Sequence, residues 1–312
     1  MSATPQGETP PRPASLGLEP GRCARAATEV AEPLAGTAPE STRVWILLEH
    51  PGPWGARPLQ DDTLPEAVRD RLVTWQKDVA GARVQLIRRP GADGGSPRFL
   101  FGSSEPGEAW LAETFLYAYD ELCSFDLPAA LRRREVDGSR PRTAPLHLVC
   151  AHGKRDACCA LLGTRTFRAM HDLAPDAVWQ TSHTGGHRFA ANVVSLPDGI
   201  AYGQVEPADA RALLEAHHGG RFFDLARVRG RTAYRQPTQA AEVRVRQARD
   251  DLDLGSLTLH ESRREDDGSW AVSFRDQAGA VHATSVRPTT LDGERPKSCG
   301  DAPSAVTAWV AR

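Results

Sequence analysis

Two thiols and two imidazoles are the groups in this sequence best placed to do chemistry. Cys150 opens the run Cys150-Ala-His-Gly-Lys-Arg-Asp156, Cys159 follows after eight intervening residues, and His183 and His187 bracket Thr184-Gly-Gly186. Thiolate and imidazole together suit a soft or borderline metal. The cysteine gap is wider than the roughly two-to-four-residue gap of a zinc knuckle. The histidine gap suits zinc, although iron also accepts imidazole. Gly185 and Gly186 let the backbone bend until both rings face one centre, and they leave room for a bulky group near the chain. Cys158 directly precedes Cys159, so spacing alone leaves two candidates for the second thiol.

These residues need elements to place them. Pro145-Leu-His-Leu-Val-Cys150 reads as a strand ending at the first thiol. Ala160 to Leu173 reads as a helix carrying Leu161, Leu162, Phe167 and Met170. Ala177-Val-Trp-Gln-Thr181 is a strand leading into His183. Asp198-Gly199 turns a hairpin, and Pro207 starts a helix with Ala210, Leu213 and Leu214 inward.

An earlier stretch follows a similar order. Arg43–Glu49, Arg83–Arg88 and Arg98–Phe101 read as strands, and a helix from Pro65 carries Val68, Leu72 and Trp75. Trp110, Leu111, Phe115, Tyr119 and Leu122 predict a second helix. The alternating runs Ser256–His260, Trp270–Phe274 and Val281–Val286 predict a three-stranded antiparallel meander, with Ser304–Val310 as a candidate further strand.

The 312 residues allow two domains, and 38 basic against 40 acidic residues argue against a broad nucleic-acid surface. No apolar run is long enough to cross a bilayer. Residues 1–38 lack an export signal, so a cytoplasmic location with reduced thiols is expected. Cys23, Cys123 and Cys299 stand apart from any motif. His147, His171, His217 and His282 read as structural. His152 is either a hydrogen-bonding neighbour of the metal or a turn cap, and Arg155 with Asp156 reads as a pair shaping the loop. A thioredoxin-type thiol enzyme is excluded by the lack of a Cys-x-x-Cys pair at a helix start. No paired carboxylates mark a glycosidase and no glycine motif marks a nucleotide site.

The motifs Cys150-Ala-His-Gly-Lys-Arg-Asp156, Cys159 and His183-Thr-Gly-Gly-His187, with the Glu49–Gly55 loop, resemble the sucrase/ferredoxin-like family over roughly residues 40–235. The second half, through its Asp-Gly hairpin and following helix, is similar to the thioredoxin-like 2Fe-2S ferredoxins, with histidines in place of the second cysteine pair. The resemblance implies a 2Fe-2S cluster on Cys150, Cys159, His183 and His187, and it favours Cys159 over Cys158. It implies one-electron transfer or redox sensing with an unidentified redox partner protein, rather than catalysis. The rival is a structural Cys2His2 zinc site in an interaction module.

The expected fold is α/β, with two thioredoxin-like units, the second ferredoxin-like, plus a small C-terminal antiparallel β meander. The expected boundaries are a disordered tail at 1–38, a clusterless α/β domain at 39–131 and a linker at 132–144. The ferredoxin domain follows at 145–220, then a basic segment with one helix at 221–250 and the β unit at 251–312. Neither nucleic acid nor membrane is expected as a partner.

Overall fold

The computed structural model describes residues 21–91, 95–136 and 138–311. Helix α1 (Cys23–Glu29) leads to strand β1 (Val44–Glu49), helix α2 (Glu66–Asp78), β2 (Ala82–Arg88), β3 (Arg98–Ser103) and β4 (Trp110–Phe115). Two short helices, α3 (Glu121–Ser124) and α4 (Leu127–Arg133), and a two-residue strand β5 (Arg140–Pro141) complete the first half. The second half contains β6 (Leu146–Cys150), α5 (Thr164–Leu173), β7 (Val178–Thr181), β8 (Val193–Leu196), β9 (Ile200–Tyr202), α6 (Ala210–His218), β10 (Val228–Arg231) and α7 (Gln236–Arg249). Strands β11 (Leu257–Arg264), β12 (Trp270–Asp276), β13 (Val281–Thr290) and β14 (Thr307–Ala311) end the chain.

The halves share one strand order. In the first, β2-β1-β3-β4 has a parallel β1/β2 pair across α2 and antiparallel partners beyond it. In the second, β7-β6-β8-β9 does the same across α5. A parallel pair needs such a crossover, whereas the antiparallel strands follow by short turns. The halves are not separate sheets. β2 pairs antiparallel with β7 through Ile87/Thr181 and Arg88/Gln180, making one ten-stranded sheet.

Packing explains the union. Ile46 and Leu48 of β1 face α2 beside Phe99 and Phe101. The alternate residues Trp45 and Leu47 enter an apolar layer that also holds Leu146, Leu148, Trp179 and Val194 of the second half. That layer spans both halves, and opening it would expose all of these side chains to water. On the other face of the second half, Val149, Phe167, Met170, Leu213 and Tyr202 form a third packed group.

Several expectations change. The stripe from Trp110 to Leu122 is not one helix: residues 110–115 form strand β4, whose Glu113 is buried and takes ion pairs from Arg98, Arg140 and Arg142. Alternation across a paired strand competes with the helical spacing, and the pairing with β3 decides it. Residues 1–20 lie outside the described residues. Residues 21–38, expected as tail, instead pack: α1 buries Cys23, Ala24 and Ala27, and Leu34 and Ala38 are buried too. Their side chains are small, so composition alone reads as unfolded. The segment 221–250 is internal as well. Arg231, Glu242 and Arg246 form a buried ion-pair group, and α7 backs the terminal sheet through Ala241, Val245, Phe274 and Val286. That sheet has four strands, β14 pairing with β13. Among the described residues, no helix is long and apolar enough to cross a membrane.

Candidate metal centre

Strands β6 and β7 are parallel neighbours that end level, with Cys150 opposite Thr181. The loops that follow therefore leave the same sheet end, which carries Cys150 and His183 to one place. Cys159 begins a π-helical turn, Cys159–Gly163, ahead of α5. This turn lies against the end of β6: a Cβ on Gly163 would come within 2.0 Å of the Cys150 carbonyl oxygen. Only glycine permits that approach.

Gly185 and Gly186 adopt φ of +93° and +74°, and the turn stacks the His183 and His187 rings with centroids 4.0 Å apart and planes 10° from parallel. Arg229 braces the turn from behind. It donates to the Gly185 carbonyl at 2.9 Å and to Asn192 Oδ1 at 2.7 Å, while Asn192 Nδ2 donates to the Gly186 carbonyl at 2.9 Å.

The four sequence-derived residues come together. Sulfurs of Cys150 and Cys159 and a ring nitrogen of His183 lie within 4.8 Å of one another. Cys159 Sγ is also 3.8 Å from His187 Nδ1. Cys150, Cys159 and His187 are buried, and His183 is partly exposed. Cys158 points elsewhere, with its sulfur 3.3 Å from that of Cys299 and 3.7 Å from that of Cys23.

Electrostatics prepare these atoms as donors. A hydrogen bond from Cys159 holds the Cys150 thiol well below its ordinary range, helped by His183 and the His152 backbone N–H. The same contact, with burial, pushes the Cys159 thiol well up. The contact thus favours the thiolate form at Cys150 and the thiol form at Cys159. Burial lowers His187 to about 4, so its imidazole is neutral at pH 7 and able to donate a lone pair.

His152 is a positioning residue. Its Nδ1 accepts from the His183 backbone N–H at 3.1 Å, and its Nε2 donates to the Gly55 carbonyl at 2.7 Å. Its ring meets Trp54 edge-on at 5.8 Å, which ties the Glu49–Gly55 loop to the centre. Asp156 does not form the expected pair with Arg155, which is exposed. It is buried, and it accepts from Cys158 N, Ser298 Oγ and Cys299 N, each at 2.8 Å. Ser298, Arg229 and Asn192 carry no local motif that points to the centre, and Asp156, although part of the Cys150–Asp156 motif, has partners that the motif does not show. Their role comes from elements far apart in the chain.

A model of the sucrase/ferredoxin-like family matches residues 34–230. The chain belongs to the sucrase/ferredoxin-like family. The matched span contains all four convergent residues and ends before the four-stranded sheet. Among curated relatives, the family member here is similar to "Altered inheritance of mitochondria protein 32" of Meyerozyma guilliermondii, 31% identical over 23% of this chain and 29% of that protein. The same-named proteins of Saccharomyces kudriavzevii and Saccharomyces cerevisiae are 33% and 34% identical, each over 25% of this chain. The matches span under a third of these relatives' own length, 29% and 30% respectively. Two serine variants of the thioredoxin-like [2Fe-2S] ferredoxin from Aquifex aeolicus are also similar. They are 22% and 25% identical, over 27% and 23% of this chain and 96% and 85% of theirs, with TM-scores of 0.24 and 0.20.

Proposed function

We propose that this chain is a one-electron carrier or redox sensor whose Cys150, Cys159, His183 and His187 hold a 2Fe-2S cluster. The observation that carries the reading is the convergence of these side chains, two from the first loop and turn and two from one glycine bend. The donor set fits the group: a thiol pair whose contact favours the thiolate form of Cys150, the neutral imidazole of His187 and the ring of His183, in a largely buried place. The cluster would supply reversible one-electron chemistry, at a potential raised by neutral imidazole to roughly −150 to +300 mV. Around it, His152 orients the histidine loop and Arg229 and Asn192 hold the glycine bend; His183, the partly exposed member of the four, is where we place the entry of an electron or proton.

The shared strand order of the two halves supports reading each as a thioredoxin-like unit, with the centre only in the second. We place the protein in a reducing compartment, expected to be the cytoplasm, where its thiols stay free.

A single zinc on the same four residues is the second reading, favoured by the close grouping of the Cys150, Cys159 and His183 donor atoms and by the 3.8 Å between Cys159 Sγ and His187 Nδ1. Visible and EPR spectra of purified wild type, Cys159→Ser and His187→Ala separate the two. The cluster reading expects a brown protein with charge-transfer bands altered in both variants. A colourless, zinc-loaded wild type, or spectra unchanged in both variants, contradicts it.

A further inference from the structure

Three cysteines outside the four-residue centre meet beside it. Cys23 comes from α1, Cys158 from the helical residue directly ahead of the π-helical turn, and Cys299 from the segment between β13 and β14. Their sulfurs form a triangle with sides of 3.3, 3.6 and 3.7 Å. Cys23 Sγ lies 3.8 and 3.9 Å from the two Asp156 carboxylate oxygens. All four residues present a donor atom within one 4.8 Å group. Two of them, Cys23 and Cys299, fall outside the span matched by the family model.

We propose that Cys23, Cys158, Cys299 and the Asp156 carboxylate form a second site for a single zinc ion, bordering the first centre through Asp156, whose carboxylate also lies 4.0 Å from His187 Nδ1. The dimensions are those of one ion. In a tetrahedron with zinc–sulfur bonds of about 2.3 Å, sulfurs stand about 3.8 Å apart, and a carboxylate oxygen stands about 3.6 Å from each. Two sulfur spacings, 3.6 and 3.7 Å, lie close to these values, the third at 3.3 Å is shorter, and Cys23 Sγ stands 3.8 and 3.9 Å from the carboxylate oxygens, so a bound ion would spread Cys158 from Cys299 and draw Asp156 in slightly. A polynuclear cluster, bound around its outside, needs its cysteines more widely spread.

The surroundings suit bound thiolates. The backbone N–H of Ala24 donates to Cys158, and that of Cys23 donates to Cys299. Such donors offset the negative charge that several thiolates place on a divalent ion. Asp156 has oriented oxygens: Cys158 N uses one acceptor position, and Ser298 Oγ and Cys299 N use two more. A carboxylate offers about four such positions, so one remains for a metal.

The site would also fasten the chain. Cys23 and Cys158 are 135 residues apart, and Cys158 and Cys299 are 141 apart. One ion would therefore pin both terminal segments to the loop that carries Cys159. A nearby ion pair draws the same segments together: buried Glu32 pairs with Arg188, next to His187, at 2.6 Å, and with Arg295 at 3.2 Å.

The test is metal analysis of the full chain, counting zinc and iron separately, together with zinc-edge X-ray absorption on wild type. One zinc per chain is expected, surrounded by three sulfurs and one lighter atom. It should be lost in Cys23→Ser and in Cys299→Ser and retained in His187→Ala. A shell of two sulfurs and two nitrogens, or zinc lost with His187 instead, would assign the ion to the other centre and overturn the proposal. Absence of zinc, or a disulfide among Cys23, Cys158 and Cys299 in the intact mass of protein purified without oxidant, would overturn it too. The wild-type absorption measurement decides the matter even if a variant fails to fold.

Discussion

Cys158 and Cys159 are adjacent in the chain and belong to different side-chain groups. The sulfur of Cys159 is 3.8 Å from His187 Nδ1, and that of Cys158 is 3.3 Å from Cys299 Sγ. One peptide link therefore joins two places where soft donors gather, and the two cysteines should respond differently to substitution. Cys159→Ser is expected to remove the visible charge-transfer absorption of the purified protein. Cys158→Ser is expected to keep those bands while losing zinc. Equal loss of absorption in both variants would mean that the two groups are not separable as described.

The glycines near the centre should rank by what a methyl group would meet. Gly163→Ala drives a Cβ into the Cys150 carbonyl, so it should cost about 3 kcal/mol or more, at the upper end of overpacking. Gly185→Ala meets nothing within 4 Å and bears only the left-handed backbone, a cost of about 1–2 kcal/mol. Urea unfolding measures both. The reverse order would contradict the close approach of the π-helical turn to β6.

Acid sensitivity has a source away from the candidate metal centre. His217 is buried, accepts from Tyr202 Oη at 2.8 Å, and is lowered by burial to about 3. The unfolded side chain titrates near 6.5, so below that pH the unfolded state takes up a proton that the folded state refuses. Stability from this residue is complete above about pH 6.5 and is lost as pH falls toward 3. His217→Gln keeps an acceptor for Tyr202 and should lose less stability than wild type between pH 7 and pH 5. Parallel denaturation curves at the two pH values check this, and an identical pH dependence in both proteins would refute it.

Histidine ligation predicts a potential that depends on pH. Reduction makes the centre more negative and so favours a protonated ring, which means the potential should fall as pH rises. Protein-film voltammetry from pH 6 to 9 measures the slope. A flat line would remove proton coupling from the account.

Much of the centre is legible in the sequence because its parts are local. Cys150 ends an apolar strand, His183 follows another, and the Gly-Gly pair announces the bend between the rings. The repeated strand–helix–strand order is legible for the same reason. What escapes is non-local. Nothing near Cys23 or Cys299 marks a meeting across more than 130 residues, although an extra cysteine beside Cys159 hints at a second use. Arg229 reads as part of a basic segment, yet it is buried against the glycine bend. Trp110 to Leu122 shows helical spacing, and only pairing with β3 reveals Trp110–Phe115 as a strand. The single ten-stranded sheet depends on β2 meeting β7, a contact no local pattern encodes.

Pulsed EPR of the reduced protein reads the proposed nitrogen ligands themselves. Ligation by His183 and His187 predicts a 2Fe-2S signal with strong hyperfine coupling to two histidine nitrogens, one of them lost in His187→Ala. A cluster signal without nitrogen coupling, or no paramagnetic iron–sulfur signal at all, would contradict it.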